Sequence, residues 1–348
     1  MHTVRRRTTA VERGSRSQAG APRTGVRLLI LIALFASTLL AFGCGDTVEG
    51  PDRAIAATAN GRILFIQHGD IAVWENGKTR RLLQLGDAAW ARWSPDGRRI
   101  AFVRLGDAYS DLYIADTSTG EIRQLTRNRP PFTPGSYEYV QNAVWALSPA
   151  WSPDGQRLVY VSDRNTLKNF LWLIPSAGGT PELIQAPTRL GDNVDQPAFS
   201  PDGSRIVFIH RVTREDGLQR RTDLWILDLR SGNLTPLVQG GDGQHAPAWS
   251  PDGQWIVYVG RHGESNDLFL VPAMGGQPIQ ITDSGVVASP TWSPDGRAIA
   301  YLQLERDGFA VYVLELRIGA DGRPQATEPR KLFTAERIDA VSGLSWVP

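Results

Sequence analysis

The amino-acid sequence predicts an all-β protein: a six-bladed β-propeller of four-stranded antiparallel blades, with the ring closed by the C-terminal strand joining the first blade. Three observations lead to this prediction. A five-residue motif recurs at blade-sized intervals, a β-type run follows each copy, and the two ends of the chain each carry part of one further copy.

The recurring motif is an aromatic residue followed by Ser-Pro-Asp-Gly. Its five copies begin at Trp93, Trp151, Phe199, Trp249 and Trp292, with intervals of 58, 48, 50 and 43 residues. Ser-Pro-Asp-Gly is a tight-turn sequence, because proline presets φ at the second position and glycine closes the turn. Each copy is therefore predicted to connect two adjacent antiparallel strands.

Three β-type segments follow each turn and complete a four-stranded unit. The second strands are predicted at residues 100–103, 158–161, 206–209, 256–259 and 299–302. The third strands are predicted at residues 111–113, 170–172, 223–225, 267–269 and 310–312. The fourth strands are predicted to end near residues 125–126, 183–184, 237–238, 281–282 and 332–333.

The chain ends supply the sixth blade. Residues 60–66 match the tail of a turn plus a second strand, and residues 71–74 and 82–83 match the third and fourth strands. Residues 344–348 match the strand that carries the aromatic residue, and nothing follows them. Joining the two ends gives six blades of about 48 residues over residues 60–348 and removes exposed sheet edges.

The repeats resemble the WD40-like (PD40) propeller repeats typified by the C-terminal domain of TolB and by the propellers of prolyl-oligopeptidase-type enzymes. The resemblance covers nearly all of residues 60–348 and implies the fold strongly but the function weakly. We expect that this chain lacks the smaller N-terminal domain of TolB, since only a tether precedes the first blade, and that it lacks a hydrolase domain.

The N-terminal residues 1–43 predict an export signal. A basic stretch carrying seven arginines and a single acid leads into an uncharged apolar run at residues 28–43. Sixteen helical residues span about 24 Å, less than the roughly 30 Å of a hydrocarbon core, although an uncleaved membrane anchor remains the alternative. The small, polar residues after this run, up to position 59, predict a flexible tether.

Cys44, the only cysteine, directly follows the apolar run. The junction Gly43-Cys44 resembles a bacterial lipoprotein signal, which implies that Cys44 receives a lipid and becomes the new N-terminus. The predicted location is the cell envelope, lipid-anchored on the outer side of the cytoplasmic membrane or in the periplasm.

Charge argues against nucleic-acid binding. The first 44 residues carry a net charge of +6, which leaves −5 on the remaining 304 residues. A protein that binds nucleic acid replaces counterions with lysine and arginine, and the body of this chain lacks that footprint. No nucleic-acid partner is therefore expected.

A polar cluster is predicted at the mouth of the central channel. If strands alternate in direction, every Ser-Pro-Asp-Gly turn lies on one face and the irregular loops lie on the other, where binding sites are common. The candidate ligand- or partner-binding residues on that face are Asp195, Gln196, Gln244, His245, His210 and Arg211. Their mixed character suits hydrogen bonding to a sugar or a peptide, while solvated loop residues are the alternative.

The segment 128–146 predicts a stiffened loop with large aromatic groups, among them Phe132, Tyr137 and Tyr139. Exposed aromatic residues on a rigid loop are good anchors for a protein partner. In the alternative arrangement these residues fold back and cover the ring.

The function predicted from these features is a non-catalytic, lipid-anchored envelope protein that binds a protein partner or assembles a complex. The repeated aspartates are attributed to turns, and no catalytic residue, metal site or cofactor is predicted, since the familiar nucleophile and nucleotide motifs are missing from the sequence. The alternative is a carbohydrate- or peptide-binding receptor, or a propeller-type hydrolase or lyase, that uses the channel mouth.

Overall fold

A computed structural model of the protein describes residues 61–166, 168–184, 193–213, 220–241, 243–320 and 323–348. These residues form six antiparallel sheets in the order of a six-bladed β-propeller, which confirms the predicted fold class. The predicted signal segment, Cys44 and the tether up to residue 59 lie outside the described residues and stay predictions.

The strands are numbered along the chain, and within each blade the strand beside the channel comes first. The first blade contains β25 (Ser345–Val347), β1 (Arg62–Gln67), β2 (Asp70–Glu75) and β3 (Lys78–Leu83). The second contains β4 (Ala88–Trp93), β5 (Arg99–Leu105), β6 (Ser110–Asp116) and β7 (Ile122–Gln124). The third contains β8 (Ala146–Trp151), β9 (Arg157–Ser162), β10 (Phe170–Pro175) and β11 (Glu182–Leu183).

The remaining blades follow the same order. The fourth contains β12 (Asn193–Phe199), β13 (Arg205–Thr213), β14 (Arg220–Asp228) and β15 (Leu234–Val238). The fifth contains β16 (His245–Trp249), β17 (Trp255–His262), β18 (Ser265–Pro272) and β19 (Ile279–Gln280). The sixth contains β20 (Val287–Trp292), β21 (Ala298–Glu305), β22 (Gly308–Ile318), β23 (Pro324–Ala326) and β24 (Arg330–Thr334).

The sixth blade differs from the predicted four strands because it has five. β22 is eleven residues long, and it pairs with two short strands placed end to end. β24 pairs with its first half, where Ala310 faces Thr334, and β23 pairs with its last residues, where Leu316 faces Ala326. The extra length of β22 therefore extends this blade without changing the ring.

The ring closes between the two ends of the chain, as the sequence predicts. β25 pairs antiparallel with β1, and in this pairing Ile63 faces Trp346. Trp346 is buried in a cluster that also contains residues of the first and sixth blades, such as Phe65 and Val311. Closure therefore seals an apolar interface as well as a sheet edge.

The second strand of each blade is buried on both faces, which explains its continuous run of apolar residues. In β5, Ile100 and Phe102 pack into a cluster shared with the first blade. The alternate residues Ala101 and Val103 pack into a cluster shared with the third blade. The period-2 alternation of a strand thus sends neighbouring residues to opposite blade interfaces.

Each Ser-Pro-Asp-Gly turn is held by the serine at its start. In the fourth blade the buried Ser200 hydroxyl donates to Asp202 Oδ1 at 2.5 Å and accepts from the Arg205 backbone N–H at 2.9 Å. The bond from Ser200 lowers the pKa of Asp202 to about 2. The motif aspartates therefore organise turns, as the sequence predicts.

Adjacent blades are joined through the motif aromatic residues. The indole N–H of Trp151 donates to the carbonyl of Arg92 in the preceding blade at 3.1 Å, and Trp249 and Trp292 make the equivalent bond. The Arg99 guanidinium stacks on Trp151 with its central carbon 4.8 Å from the ring centroid. These contacts fix each blade against the next.

The loop that enters the next blade is fixed by an aspartate at the start of a third strand. Asp111 is buried and accepts bonds from the Thr126 hydroxyl and the Asn128 backbone N–H, each at 2.8 Å. Asp267 binds Thr282 and Ser284 in the same way. These carboxylates support the loops of the irregular face.

We expect the substitution Trp346→Ala to lower the free energy of unfolding by about 3 to 5 kcal/mol, because it empties the closing interface of a buried indole. Urea unfolding of the full chain measures the change. Tyr137→Ala, which truncates an exposed ring, serves as the control and should change stability by no more than about 0.5 kcal/mol. A loss below about 1 kcal/mol for Trp346→Ala would contradict the importance of closure.

We expect Ser200→Ala to lower the free energy of unfolding by about 1 to 3 kcal/mol, because it leaves the Arg205 N–H without its hydrogen-bond acceptor. The same substitution should raise the pKa of Asp202 towards 3.8. Since the carboxylate titrates at lower pH in the folded chain, its stabilisation is complete above about pH 4 and is lost as pH falls towards 2. Carbon-13 NMR titration and urea unfolding between pH 2 and 7 measure both effects.

The control for this turn is Ser118→Ala, which removes a similar bond to Asp116 at 2.6 Å from an exposed turn. The free energy of unfolding should fall by less than in Ser200→Ala, because the substitution leaves no buried N–H without an acceptor. An unchanged Asp202 pKa in Ser200→Ala would show that the serine does not control this carboxylate.

Candidate functional site

A cavity of about 330 Å³ runs along the ring axis and is lined by the innermost strands of all six blades. Its walls are mainly proline, alanine and the motif aromatic residues, with a few hydroxyl and amide groups. A concave site of this size and mixed lining suits a small ligand or a narrow segment of a larger one.

A β-bulge shapes the wall of this channel in the second to sixth blades. In β12 the pairing with β13 skips from Asp195 to Ala198, which leaves Gln196 and Pro197 unpaired. The residue three places before the motif aromatic has a left-handed backbone in all six blades; these residues are Trp90, Ser148, Gln196, Ala246, Ser289 and Gly343. The repetition marks the bulge as scaffold, while its side chains vary from blade to blade.

Proline follows the left-handed residue in four blades: Pro149, Pro197, Pro247 and Pro290. Proline lacks an N–H, so it fits a position that has no strand partner. This spacing is visible in the sequence and is the signal that could have located the channel wall before the structure was known.

Asp195 and Arg211 form an ion pair at the channel mouth. Arg211 Nη2 lies 2.8 Å from Asp195 Oδ2, and the arginine is partly exposed. The other carboxylate oxygen accepts from the Gln196 N–H at 2.8 Å and from the Ser148 hydroxyl at 3.3 Å. Asp195 therefore links the third and fourth blades.

Gln196 and His245 join this group from the fourth and fifth blades. Gln196 Oε1 accepts from the Ala246 N–H at 2.7 Å, while His245 Nδ1 lies 2.7 Å from Gly243 O. Burial lowers the pKa of His245, and the positive charge of Arg211 lowers that pKa further. His245 is thus held towards its neutral form beside the ion pair.

The other two predicted mouth residues are buried behind this group. The Gln244 amide lies 3.0 Å from Thr222 Oγ1, and its nitrogen can donate to the Gly241 carbonyl at 2.9 Å. His210 packs edge-on against Trp225 with 5.9 Å between ring centroids. The structure therefore brings together Asp195, Gln196, Arg211 and His245, and it places Gln244 and His210 in the interior.

The aromatic loop contains both exposed and buried rings. Tyr137 is 74% exposed and Phe132 is 42% exposed, whereas Tyr139 is only 2% exposed. The difference arises at the short helix α1 (Tyr137–Gln141), which Ser136 caps by accepting from the Tyr139 N–H. Tyr139 covers the core, and Val140 joins Phe132 and Tyr137 at the surface.

This loop is anchored at its start by Asn128. The buried Asn128 side chain donates to the Ser110 carbonyl at 2.8 Å and accepts from Arg164 Nη2 at 2.9 Å. The loop leads from β7 to β8, so antiparallel topology places it on the face opposite the Ser-Pro-Asp-Gly turns. The aromatic surface and the channel mouth therefore share one face.

The described residues show neither a metal centre nor a membrane-spanning helix. Among them, no group of three or more histidine, cysteine, aspartate or glutamate side chains is arranged to hold a metal ion. Within the same ranges, the structure contains no helix with the length and apolar character needed to cross a membrane.

Comparison with known proteins supports the predicted resemblance. The family model of the TolB beta propeller domain matches residues 136–321, and the model of the dipeptidyl peptidase IV N-terminal region matches residues 57–163. The Uncharacterized peptidase YuxL of Bacillus subtilis is 34% identical over 105 residues. That match covers 29% of this chain, and it spans only 12% of the length of the peptidase.

Solved structures share the fold at low sequence identity. TolB from Acinetobacter baumannii matches with a TM-score of 0.61 and 19% identity, covering 82% of this chain and 66% of that one. The putative TolB from Agrobacterium tumefaciens matches with a TM-score of 0.58 and 20% identity, covering 82% and 97%. A chain of the nidogen/laminin complex matches with a TM-score of 0.57 and 13% identity, covering 82% and 98%.

The first family model covers more than half of the chain, the six blades follow the predicted repeats, and the described fold matches solved TolB structures. The chain therefore belongs to the TolB beta propeller domain family.

Proposed function

We propose that this chain is a non-catalytic, lipid-anchored propeller of the cell envelope that binds a protein partner through its aromatic loop. The observation that carries the proposal is the group of exposed apolar side chains Phe132, Tyr137 and Val140 on one short loop. Apolar side chains gathered in this way are typical of binding surfaces, where aromatic residues supply much of the affinity.

Contacts within the propeller hold the loop in place. Asn128 fixes its start, Ser136 caps the helix within it, and Tyr139 holds it to the core. Several prolines stiffen the segment before Ser136. Binding therefore loses little loop entropy, which favours affinity for a given contact area.

The anchor part of the proposal rests on the sequence. The basic stretch, the apolar run and the sole cysteine at position 44 together resemble a lipoprotein signal, although Ala41 and Phe42 depart from its usual pattern. An anchor there would hold the propeller beside the membrane at the end of a tether, where a partner of the envelope is close.

A second candidate function is recognition of a peptide or sugar, or its cleavage, at the channel mouth. The similarity to an uncharacterized peptidase supports it, as does the polar group formed by Asp195, Gln196 and His245. The mouth is the weaker candidate for the main function, because the charges of Asp195 and Arg211 are already paired with each other.

The double substitution Phe132→Ala and Tyr137→Ala should reduce recovery of a near-stoichiometric envelope partner by about tenfold or more, because it removes the exposed anchors and leaves the buried ring. Recovery is measured by affinity purification from gently solubilised membranes. Deleting residues 128–146 is the poorer test, since that deletion also removes Asn128 and Tyr139, which support the fold.

The matched control is Met274→Ala, which truncates an 87% exposed apolar side chain on the opposite face of the ring. This variant should recover the partner fully. Equal recovery by the double variant would exclude the loop as the binding surface, and the absence of any partner would favour the channel mouth.

Cys44→Ser should abolish incorporation of labelled palmitate and move the protein from the membrane fraction to the soluble fraction, because the chain has no other cysteine to acylate. Lipid labelling and fractionation with antibody detection measure the two effects. Retention of Cys44→Ser in the membrane fraction would indicate an uncleaved apolar segment as the anchor instead.

A further inference from the structure

Arg92 is the only charged side chain among the described residues that line the central channel. Every other blade has a small residue at the equivalent position, directly before the motif aromatic; these residues are Ala150, Ala198, Ala248, Thr291 and Ser345. The arginine therefore gives the second blade a long charged side chain at a position that is small and uncharged in the five other blades. The sequence alone does not single out Arg92, because the residues around its guanidinium come together only when the ring is closed.

The guanidinium is fixed in place along one edge. Its Nη1 donates to the carbonyl oxygens of Ala91 and Ser342, at 2.9 and 2.6 Å. The negative charge of Asp339 acts on Arg92, but that carboxylate is bound within its own loop by the Ser342 hydroxyl and the Val341 N–H. No described residue accepts a hydrogen bond from Arg92 Nη2.

Gly343 allows this free nitrogen to lie close to the backbone. A Cβ built on Gly343 would lie 3.1 Å from Arg92 Nη2 and 3.4 Å from Ser289 Oγ, and the first contact is closer than a Cβ atom normally makes. The Ser289 hydroxyl itself donates to the Ala340 carbonyl at 2.6 Å. The other five blades have a side chain at this position, so the close approach of a guanidinium to the backbone is particular to the first blade.

The rest of the cavity suits an elongated, mostly apolar body. Prolines of four blades and the ring of Trp90 face the channel, and no carboxylate lies among its described lining residues. Gln196 uses its carbonyl oxygen to bind Ala246 and keeps its amide nitrogen as a donor, for which no described residue provides an acceptor. Both spare donors suit an acceptor oxygen, and the positive charge of Arg92 favours an anionic acceptor.

We propose that the channel binds a carboxylate on a slim apolar body, with the carboxylate accepting a hydrogen bond from Arg92 Nη2 beside Gly343. Arg92 is partly buried, and the carboxylate of Asp339, whose charge acts on it, is hydrogen-bonded within its own loop, so a direct counter-charge is missing among the described residues. A bound carboxylate would supply that charge through a charge-assisted hydrogen bond. This site lies inside the ring and does not depend on the protein-binding loop.

The electrostatics of Arg92 agree with the geometry. Burial lowers the pKa of Arg92 to about 10, and the charge of Asp339 only partly offsets that effect. The guanidinium still carries its positive charge at neutral pH, so it can bind an anion at that pH.

The probes are N-acetyl-alanine, the acid N-acetyl-Ala-Ala-Ala and the matching tripeptide amide. Each is titrated at constant ionic strength into the full chain, labelled with nitrogen-15, while the Nε–Hε signal of Arg92 is followed by NMR. The acids should shift this signal saturably and the neutral amide should not, because only the acids carry the charge.

Two variants and one control test the residues. Binding is measured for the variants by isothermal titration calorimetry. Arg92→Met and Gly343→Ala should each weaken binding of the acids by about tenfold or more. Gly343→Ala should fold, because Ala246 adopts the same left-handed backbone in the fifth blade, and its methyl group displaces Arg92 Nη2 without altering the charge. Arg230→Met, at an exposed arginine outside the channel, should bind as the wild type does.

The outcomes separate the sources of the carboxylate. Tighter binding of the tripeptide acid than of N-acetyl-alanine identifies a peptide C-terminus, and equal binding identifies a small free acid. The proposal is overturned if neither acid produces a saturable shift, or if binding survives in both Arg92→Met and Gly343→Ala, or if the amide binds as well as the acid.

Discussion

The pairing of β25 with β1 is the constraint on which the rest of the molecule depends. Each blade buries apolar residues on both of its faces, so each requires a neighbour on either side. Five interfaces form between blades that follow one another along the chain. The last interface requires the two ends to meet, and Trp346 packs at that junction with Phe65 and Val311. Once the ring is closed, the six innermost strands define the channel.

The repeats divide the molecule into a scaffold and variable positions. The scaffold consists of the Ser-Pro-Asp-Gly turns, the motif aromatic residues and the left-handed bulges, which serve the same purpose in each blade. A binding residue is expected where one blade has a different residue from the equivalent position of the other blades. Arg92 stands where the other blades have small residues, and Gly343 stands where they have residues with side chains. A repeated carboxylate such as Asp202 is therefore structural, whereas a single arginine in the channel is a candidate for binding.

The irregular face brings two kinds of surface together. The loop that carries Phe132 and Tyr137 is apolar and exposed, while the mouth beside it has the Asp195–Arg211 ion pair and a half-buried His245. The first surface suits a protein partner, and the channel below the second suits a narrow anionic group. The two surfaces do not overlap in residues, so each proposal stands or fails by its own experiment.

The sequence by itself determined the fold class, the number of blades and the closure of the ring, because turn chemistry and strand period are local properties that repeat along the chain. It also identified the motif aspartates as turn residues. It did not separate Tyr139 from Tyr137, or Gln244 and His210 from Asp195, because burial depends on which neighbouring blade a side chain meets. Only the tertiary structure placed Arg92 beside Gly343: they are 251 residues apart, and closing the ring brings the segment before β25 next to β4.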